Sequence, residues 1–177
     1  MLLVGGGRTA CTKLGPLLEA GARVLVVAPH VSTAIEAAPV TIRRRRFEPS
    51  DLDGAWFVVS AAPRDVNRAV AAAAAPRRIF VNAVDDVEHA SAYAGAIVRR
   101  SDVTIAIGTG GNAPALAGLL REAIDALLPR DLDRWMKTAR ELREEWLAES
   151  IPMEERRPRL LSALVSLYER PTATGAR

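Results

Sequence analysis

Short apolar runs alternate with stretches of helical period along the first two thirds of the chain. Residues 1–4 form an apolar run that ends at Gly5, Gly6 and Gly7, and they read as a short buried strand. Over residues 9–20, Ala10, Leu14, Leu17 and Leu18 recur at helical spacing. That predicts a helix closed by Gly21, with Pro16 as the place where it kinks or splits. Residues 23–28 (RVLVVA) are apolar without alternation, as in a strand covered on both faces, and Pro29 ends the run. A weaker helix is predicted over 32–38, a strand over 40–47, a turn at 51–54 and a buried strand over 55–61. A helix over 65–74 stops at Pro76, and strands follow at 78–84 and 103–107. This alternation implies right-handed crossovers and a mainly parallel sheet, an α/β fold of Rossmann type.

After Asn112 the pattern is helical. Residues 115–128 are strongly apolar and end at Pro129, which suggests a helix buried in an interface and hence a dimer. Residues 132–147 form a charged amphipathic stretch whose Trp135 and Trp146 lie about three turns apart and read as packing residues. Pro158 precedes a last helix over 159–168, and 171–177 reads as a loose tail.

Composition narrows the class. Hydrophobic residues make up 49% and charged ones 25%, a globular balance. Cys11 is the single cysteine, so an intrachain disulfide or a multi-cysteine metal site is excluded. With no basic leader before the first apolar run, a cytoplasmic protein is expected. No apolar stretch approaches the roughly 20 residues of a membrane span. The net charge is +3, which favours anionic ligands. No aromatic-interleaved basic motif suggests nucleic acid. Arg43, Arg44, Arg45 and Arg46 would alternate across a strand and read as a solvated edge.

The chemistry-bearing motif is Gly5-x-Gly7-x-x-Ala10 between a strand and a helix, with a second strand about 20 residues on. The first glycine permits the tight turn, the second lets a pyrophosphate approach the backbone, and the small third residue lets helix and strand pack closely. The helix N-terminus then faces the anion. The acid usual at the end of the second strand is replaced by Val27-Ala28-Pro29-His30, which leaves both NAD and NADP open there. Asp85 follows a buried strand at the edge where such sheets place ligands, and reads either as a base or as a turn cap. Asp86 reads as a solvated neighbour. Thr109 and Asn112 either cap the following helix or line a site. A lone His89 reads as surface or satisfied core rather than metal ligand. No resident metal is expected. Arg99 and Arg100 either meet acidic substrate groups or form a surface pair before a strand.

Several motifs recur in a particular order: the glycine loop, Asp65-Val66-Asn67, Phe80-Val81-Asn82-Ala83-Val84-Asp85-Asp86, and Thr109-Gly110-Gly111-Asn112-Ala113-Pro114 with Leu119-Leu120-Arg121-Glu122 after it. In this order the chain resembles the precorrin-2 dehydrogenase / sirohydrochlorin ferrochelatase family, the N-terminal module of siroheme synthases. The resemblance implies NAD-dependent oxidation of precorrin-2 to sirohydrochlorin, with ferrous iron as a possible further substrate. It implies a homodimer built from a Rossmann domain (1–94), a dimerisation segment (95–128) and a helical domain (129–177). It places the catalytic carboxylate on Asp85, and cofactor contacts on Gly5, Gly6, Gly7, Arg8, Thr9, Ala10, Pro29 and His30. The tetrapyrrole site falls on Thr109, Gly110, Gly111 and Asn112. The chain departs from the family in its short first strand and at Ala92 and Gly95, where an aromatic and a proline are usual and Tyr93 stands beside them. Those departures keep a second reading in play, a non-catalytic dinucleotide sensor with a helical output region.

Overall fold

The computed structural model describes residues 1–169, so the segment 171–177 read as a tail lies outside the described residues. Five parallel strands form one sheet in the order β3-β2-β1-β4-β5. They are β1 (Leu2–Val4), β2 (Leu25–Val27), β3 (Thr41–Arg43), β4 (Phe57–Ser60) and β5 (Phe80–Ala83). Leu3 is in register with Val26 on one side and Val59 on the other, and Val59 with Asn82.

Successive side chains of a strand point to opposite faces, so a strand covered on both faces must be apolar at every position. That is why Leu2, Leu3 and Val4 are all buried. Leu2, Val4, Val27, Val58 and Val81 pack on one face with Leu52, Val70 and Ala74. Leu3, Val26 and Val59 pack on the other with Ala10, Leu14 and Ile35. Each such aliphatic side chain contributes ~1.5–3 kcal/mol through removal from water.

The connecting helices are α1 (Arg8–Glu19), the single turn α2 (Thr33–Glu36) and α3 (Arg64–Ala74). α1 is continuous across Pro16 and does not split there. Proline removes one backbone donor; the anchoring of Ala10 and Leu14 in the core outweighs that loss.

The residues read as a solvated arginine edge are instead a structural cluster. Asp51 is buried at 2% exposure, and it accepts from Arg43 Nη1 at 2.7 Å and from both terminal nitrogens of Arg45 at 2.6 and 2.7 Å. The Glu48 amide adds a bond at 3.0 Å. Arg44 turns to Glu36. A carboxylate taken out of water requires such partners, and no periodicity in the sequence announces that Asp51 goes inside.

The chain divides into two compact units, Met1–Gly95 with Gly108–Ala117, and Ala96–Ile107 with the chain from Gly118 onward. In the second unit, β6 (Ala96–Arg100) pairs antiparallel with β7 (Val103–Ile107), Val98 opposite Ile105. Thus β7 is not a sixth parallel strand. A two-residue connection, with Ser101 at φ +52°, can only make a hairpin, since a parallel return needs a long crossover.

Arg100 is not a free surface group. It donates to the carbonyls of Asp125 and Leu128 at 2.9 Å and to Asp125 Oδ1 at 2.6 Å, tying down the end of α4 (Pro114–Leu127). α5 (Leu132–Ala148) buries Trp146, and its Trp135 donates to the Tyr168 hydroxyl at 2.8 Å, which in turn donates to Asp131 at 2.9 Å. α6 (Met153–Ser166) begins six residues before the predicted start, with Pro158 inside it. Glu154 and Glu155 in its first turn suit the positive end of the helix dipole.

Candidate functional site

The glycine loop leaves β1 at its carboxyl end and enters α1 directly. Its three glycines have three different physical reasons. Gly5 holds φ +119°, and a Cβ there would lie 2.2 Å from the Ala61 carbonyl oxygen. A Cβ on Gly6 would lie 2.0 Å from the His30 carbonyl oxygen. Gly7 meets nothing within 4 Å. The first two are therefore demanded by the protein's own backbone, while the third keeps an open approach to the first turn of α1. Gly7, Arg8 and Thr9 are exposed there, and Ala10 is fully buried beneath them. The free N–H groups of a helix start favour a phosphate anion.

A cavity of about 610 Å³ opens beside the loop, bounded by Gly5, Gly6, Gly7, Pro29 and His30 on one side and by Ala61, Ala62, Pro63 and Val66 on the other. Arg46 also lines it, although the arginine run by itself predicts a solvated edge. Apolar walls, a glycine-lined floor and a guanidinium fit an elongated anionic ligand such as a dinucleotide.

A second cavity of about 620 Å³ shares the Ala61, Ala62 and Pro63 wall and is lined further by Thr9, Asn67, Asp85 and Asp86. Asp85 is exposed, in the left-handed region at φ +56°, and no hydrogen-bond partner holds its carboxylate among the described residues. Asp86 is not the solvated neighbour expected from sequence. It is 8% exposed, with His89 Nδ1 at 2.9 Å from both of its oxygens and Asn67 Nδ2 donating at 3.3 Å. Asn67 in turn accepts from the Ser60 hydroxyl at 2.7 Å. Burial pushes the Asp86 carboxyl up, but the bonds from His89 and Asn67, with the charge of Arg64, hold it below its ordinary value. Adjacent acids thus have opposite environments, because the left-handed residue between β5 and the next turn reverses the chain.

Thr109 is half-buried, and Gly110 and Gly111 take φ of +61° and +78°. A Cβ on Gly111 would lie 2.9 Å from the Tyr93 ring and 3.1 Å from Val87 Cγ2, so this loop packs against the segment that follows Asp85. The Asn112 amide closes on its own turn, donating to the Gly110 carbonyl at 3.3 Å. Among the described residues no group of three His, Cys, Asp or Glu side chains is arranged to hold a metal ion.

Residues 1–96 match the family described as "Putative NAD(P)-binding". The chain belongs to this family. Its glycine loop, its open helix start and the adjoining cavity all lie within the matched residues. The chain is also 43% identical over 171 residues to siroheme synthase 3 of Aeromonas hydrophila, covering 92% of this chain and 36% of that protein. It is 41% identical over 161 residues to siroheme synthase of Citrobacter koseri, covering 88% and 35%. The chain therefore spans about a third of the length of the curated relatives it matches. Among solved structures it is similar to "SirC, precorrin-2 dehydrogenase", with TM-score 0.66 and 24% identity over 91% of this chain and 82% of that one. That likeness shows a shared fold.

The sequence motifs had pointed to the glycine loop, Pro29, His30 and Asp85, and these residues all border the two adjoining cavities. Arg46, Asn67 and Asp86 were missed. Asn67 stood inside a quoted motif, and Asp86 beside a residue type that tolerates the left-handed region; read together, these were the available signals.

Proposed function

We propose that this chain oxidises precorrin-2 to sirohydrochlorin with NAD as hydride acceptor, and that Asp85 is the base. The observation that carries the reading is the placement of Asp85. Its carboxylate has no partner among the described residues and sits on a left-handed turn, in a cavity that shares one wall with the glycine-loop cavity. The names of the relatives, siroheme synthases and a precorrin-2 dehydrogenase, point to the same chemistry.

The nicotinamide supplies a two-electron sink for one hydride. The residues of this chain do the rest. Gly7, Arg8 and Thr9 offer backbone donors to the pyrophosphate, and Pro29 and His30 border the adenosine end. The Ala61–Pro63 wall leads toward Asp85, whose carboxylate takes the proton lost from the macrocycle as the hydride departs from carbon. The substrate is held between the turn at Asp85 and the loop of Thr109, Gly110, Gly111 and Asn112. The same carboxylate would accept pyrrole N–H protons if ferrous iron enters as a second substrate. The working unit is a homodimer in the cytoplasm, with α4 at the interface.

The test is an anaerobic absorbance assay with enzymatically generated precorrin-2 and NAD, followed by ferrous iron. Sirohydrochlorin and NADH are expected to appear together, and Asp85→Asn is expected to slow them by a factor of about 100 or more. Turnover unchanged in Asp85→Asn removes it from the mechanism. NAD binding without turnover in the native chain favours the dinucleotide-sensor reading, which the packing of Tyr93 against Gly111 in the region of the family's substrate site would then explain.

A further inference from the structure

Four polar residues from three separate segments meet beneath the Asp85 turn. Ser60 ends β4, Asn67 sits on α3, and Asp86 and His89 flank the short turn after β5. Ser60 and Asn67 are 0% and 2% exposed, so their bonds have no competition from water. The chain of contacts runs from Ser60 Oγ to Asn67 Oδ1, from Asn67 Nδ2 to Asp86 Oδ2, and from Asp86 to His89 Nδ1. Arg64 Nε approaches Asp86 at 3.8 Å from the solvent side. Backbone bonds close the same turn, from the Asp86 amide to the Ala83 carbonyl and from the His89 amide to the Asp86 carbonyl.

Asn67 and Asp86 line the cavity that holds Asp85, and the network adjoins the wall which that cavity shares with the glycine-loop cavity. Ser60 immediately precedes the Ala61–Pro63 wall they share, and Asp86 immediately follows Asp85. A left-handed aspartate is strained backbone and persists only where its surroundings impose it. Here what imposes it is an anchored neighbour. With the Asp86 carboxylate fixed inside, the reversal at φ +56° turns the Asp85 side chain outward into the cavity.

We propose that Asp86, clamped by His89 and Asn67, is the positioning residue that holds Asp85 toward the substrate and ties its turn to the wall of the dinucleotide cavity. The proposal rests on the reading of Asp85 as the base. Asp86 itself touches no reacting atom; it acts through the turn.

The experiment compares Asp86→Asn, His89→Leu and His89→Gln with Asp85→Asn in the full chain. Gln retains an N–H donor for Asp86 and Leu does not. A misplacement of the base by an ångström costs on the order of 100-fold in rate. We expect kcat to fall about 10- to 100-fold in Asp86→Asn and His89→Leu. The KM for precorrin-2 and the Kd for NAD should stay within about 3-fold, and His89→Gln should recover most of the rate. Independently of turnover, amide hydrogen exchange over residues 84–90 should accelerate in Asp86→Asn, while residues 8–19 keep their protection.

Native kcat in Asp86→Asn and His89→Leu, with Asp85→Asn inactive, overturns the positioning role and leaves the base in place. Native kcat in Asp85→Asn overturns the base, and the positioning role with it. Unchanged exchange over 84–90 overturns the clamp whatever the activity. A parallel loss of NAD affinity and thermal stability in both variants overturns it too, in favour of a general prop for the fold.

Discussion

Two neighbouring glycines give opposite predictions from one geometric fact. A Cβ on Gly6 would sit 2.0 Å from the His30 carbonyl oxygen, whereas a Cβ on Gly7 meets no protein atom within 4 Å. Backbone cannot swing aside as a flexible side chain does, so Gly6→Ala must displace the strand-to-helix turn, at about 1–3 kcal/mol. Gly7→Ala leaves the fold unstrained but puts a methyl group where the pyrophosphate approaches. In thermal melts Gly6→Ala should lose several degrees while Gly7→Ala matches the native chain. In NAD titration by calorimetry Gly7→Ala should bind about 10-fold more weakly or worse, a loss of about 1.4 kcal/mol. Equal melts for the two variants would show that the loop adapts. The fingerprint was legible in the sequence because glycine spacing is itself the signal. Which glycine serves the protein and which serves the ligand was not, because that depends on the Ala61 and His30 backbones, far along the chain.

Among the elements, the strands of the parallel sheet were legible as unbroken apolar runs because both faces are covered. Their ends were not, because apolar character does not mark where the ladder stops: residues 24–28 are apolar, the residue-for-residue register covers Leu25–Val27, and the Val24 carbonyl and Ala28 amide each add one bond, to Thr41 and Arg43. β6 escaped because Arg99 and Arg100 break its apolar pattern, one staying at the surface and the other spent on the end of α4. The arginines at the end of β3 and after it do not form a solvated edge, because their partner is not local in pattern. Asp51 lies in the 3₁₀ turn Pro49–Leu52, which it enters through a reciprocal bond with Glu48. Burial raises the Asp51 carboxyl, but the bonds from Arg45, the Glu48 amide and Arg43 outweigh it and hold it below the ordinary 3.8. The sign follows from linkage. A carboxyl whose folded value is depressed gives stability that is fully present above its unfolded value and lost as pH falls through its folded one. Asp51→Asn should therefore lower the melting temperature at neutral pH and flatten the acid limb of the curve of melting temperature against pH below about 4. An acid limb as steep as that of the native chain would assign the loss to other carboxylates, Asp86 first.

For the whole molecule, the unpaired surface matters as much as the core. α4 begins at Pro114, carries an apolar stripe at Leu116, Leu119, Leu120 and Leu127, and leaves all four exposed, Leu127 by 82% and Leu119 by 65%. Residues three, four, seven and eight apart share a helix face, so these side chains form one contiguous strip along the helix. An exposed strip of that kind marks an interaction surface, and the proposed homodimer would cover it with a second copy. The periodicity made the strip visible; what it packs against lies outside one chain, and no single sequence carries that. The chain should run as a dimer in light scattering at micromolar concentration. Leu119→Glu combined with Leu127→Glu should give a monomer, because each charge would be buried without a partner in a symmetric interface that repeats it twice. The two outcomes separate cleanly from folding. The parallel sheet contains neither residue, so the far-ultraviolet signal and NAD binding at the glycine loop should survive in the monomer. A double variant that remains dimeric would move the interface off α4, and a native chain already monomeric would leave the strip to a different partner, for which the chain's span of only about a third of its siroheme synthase relatives leaves room.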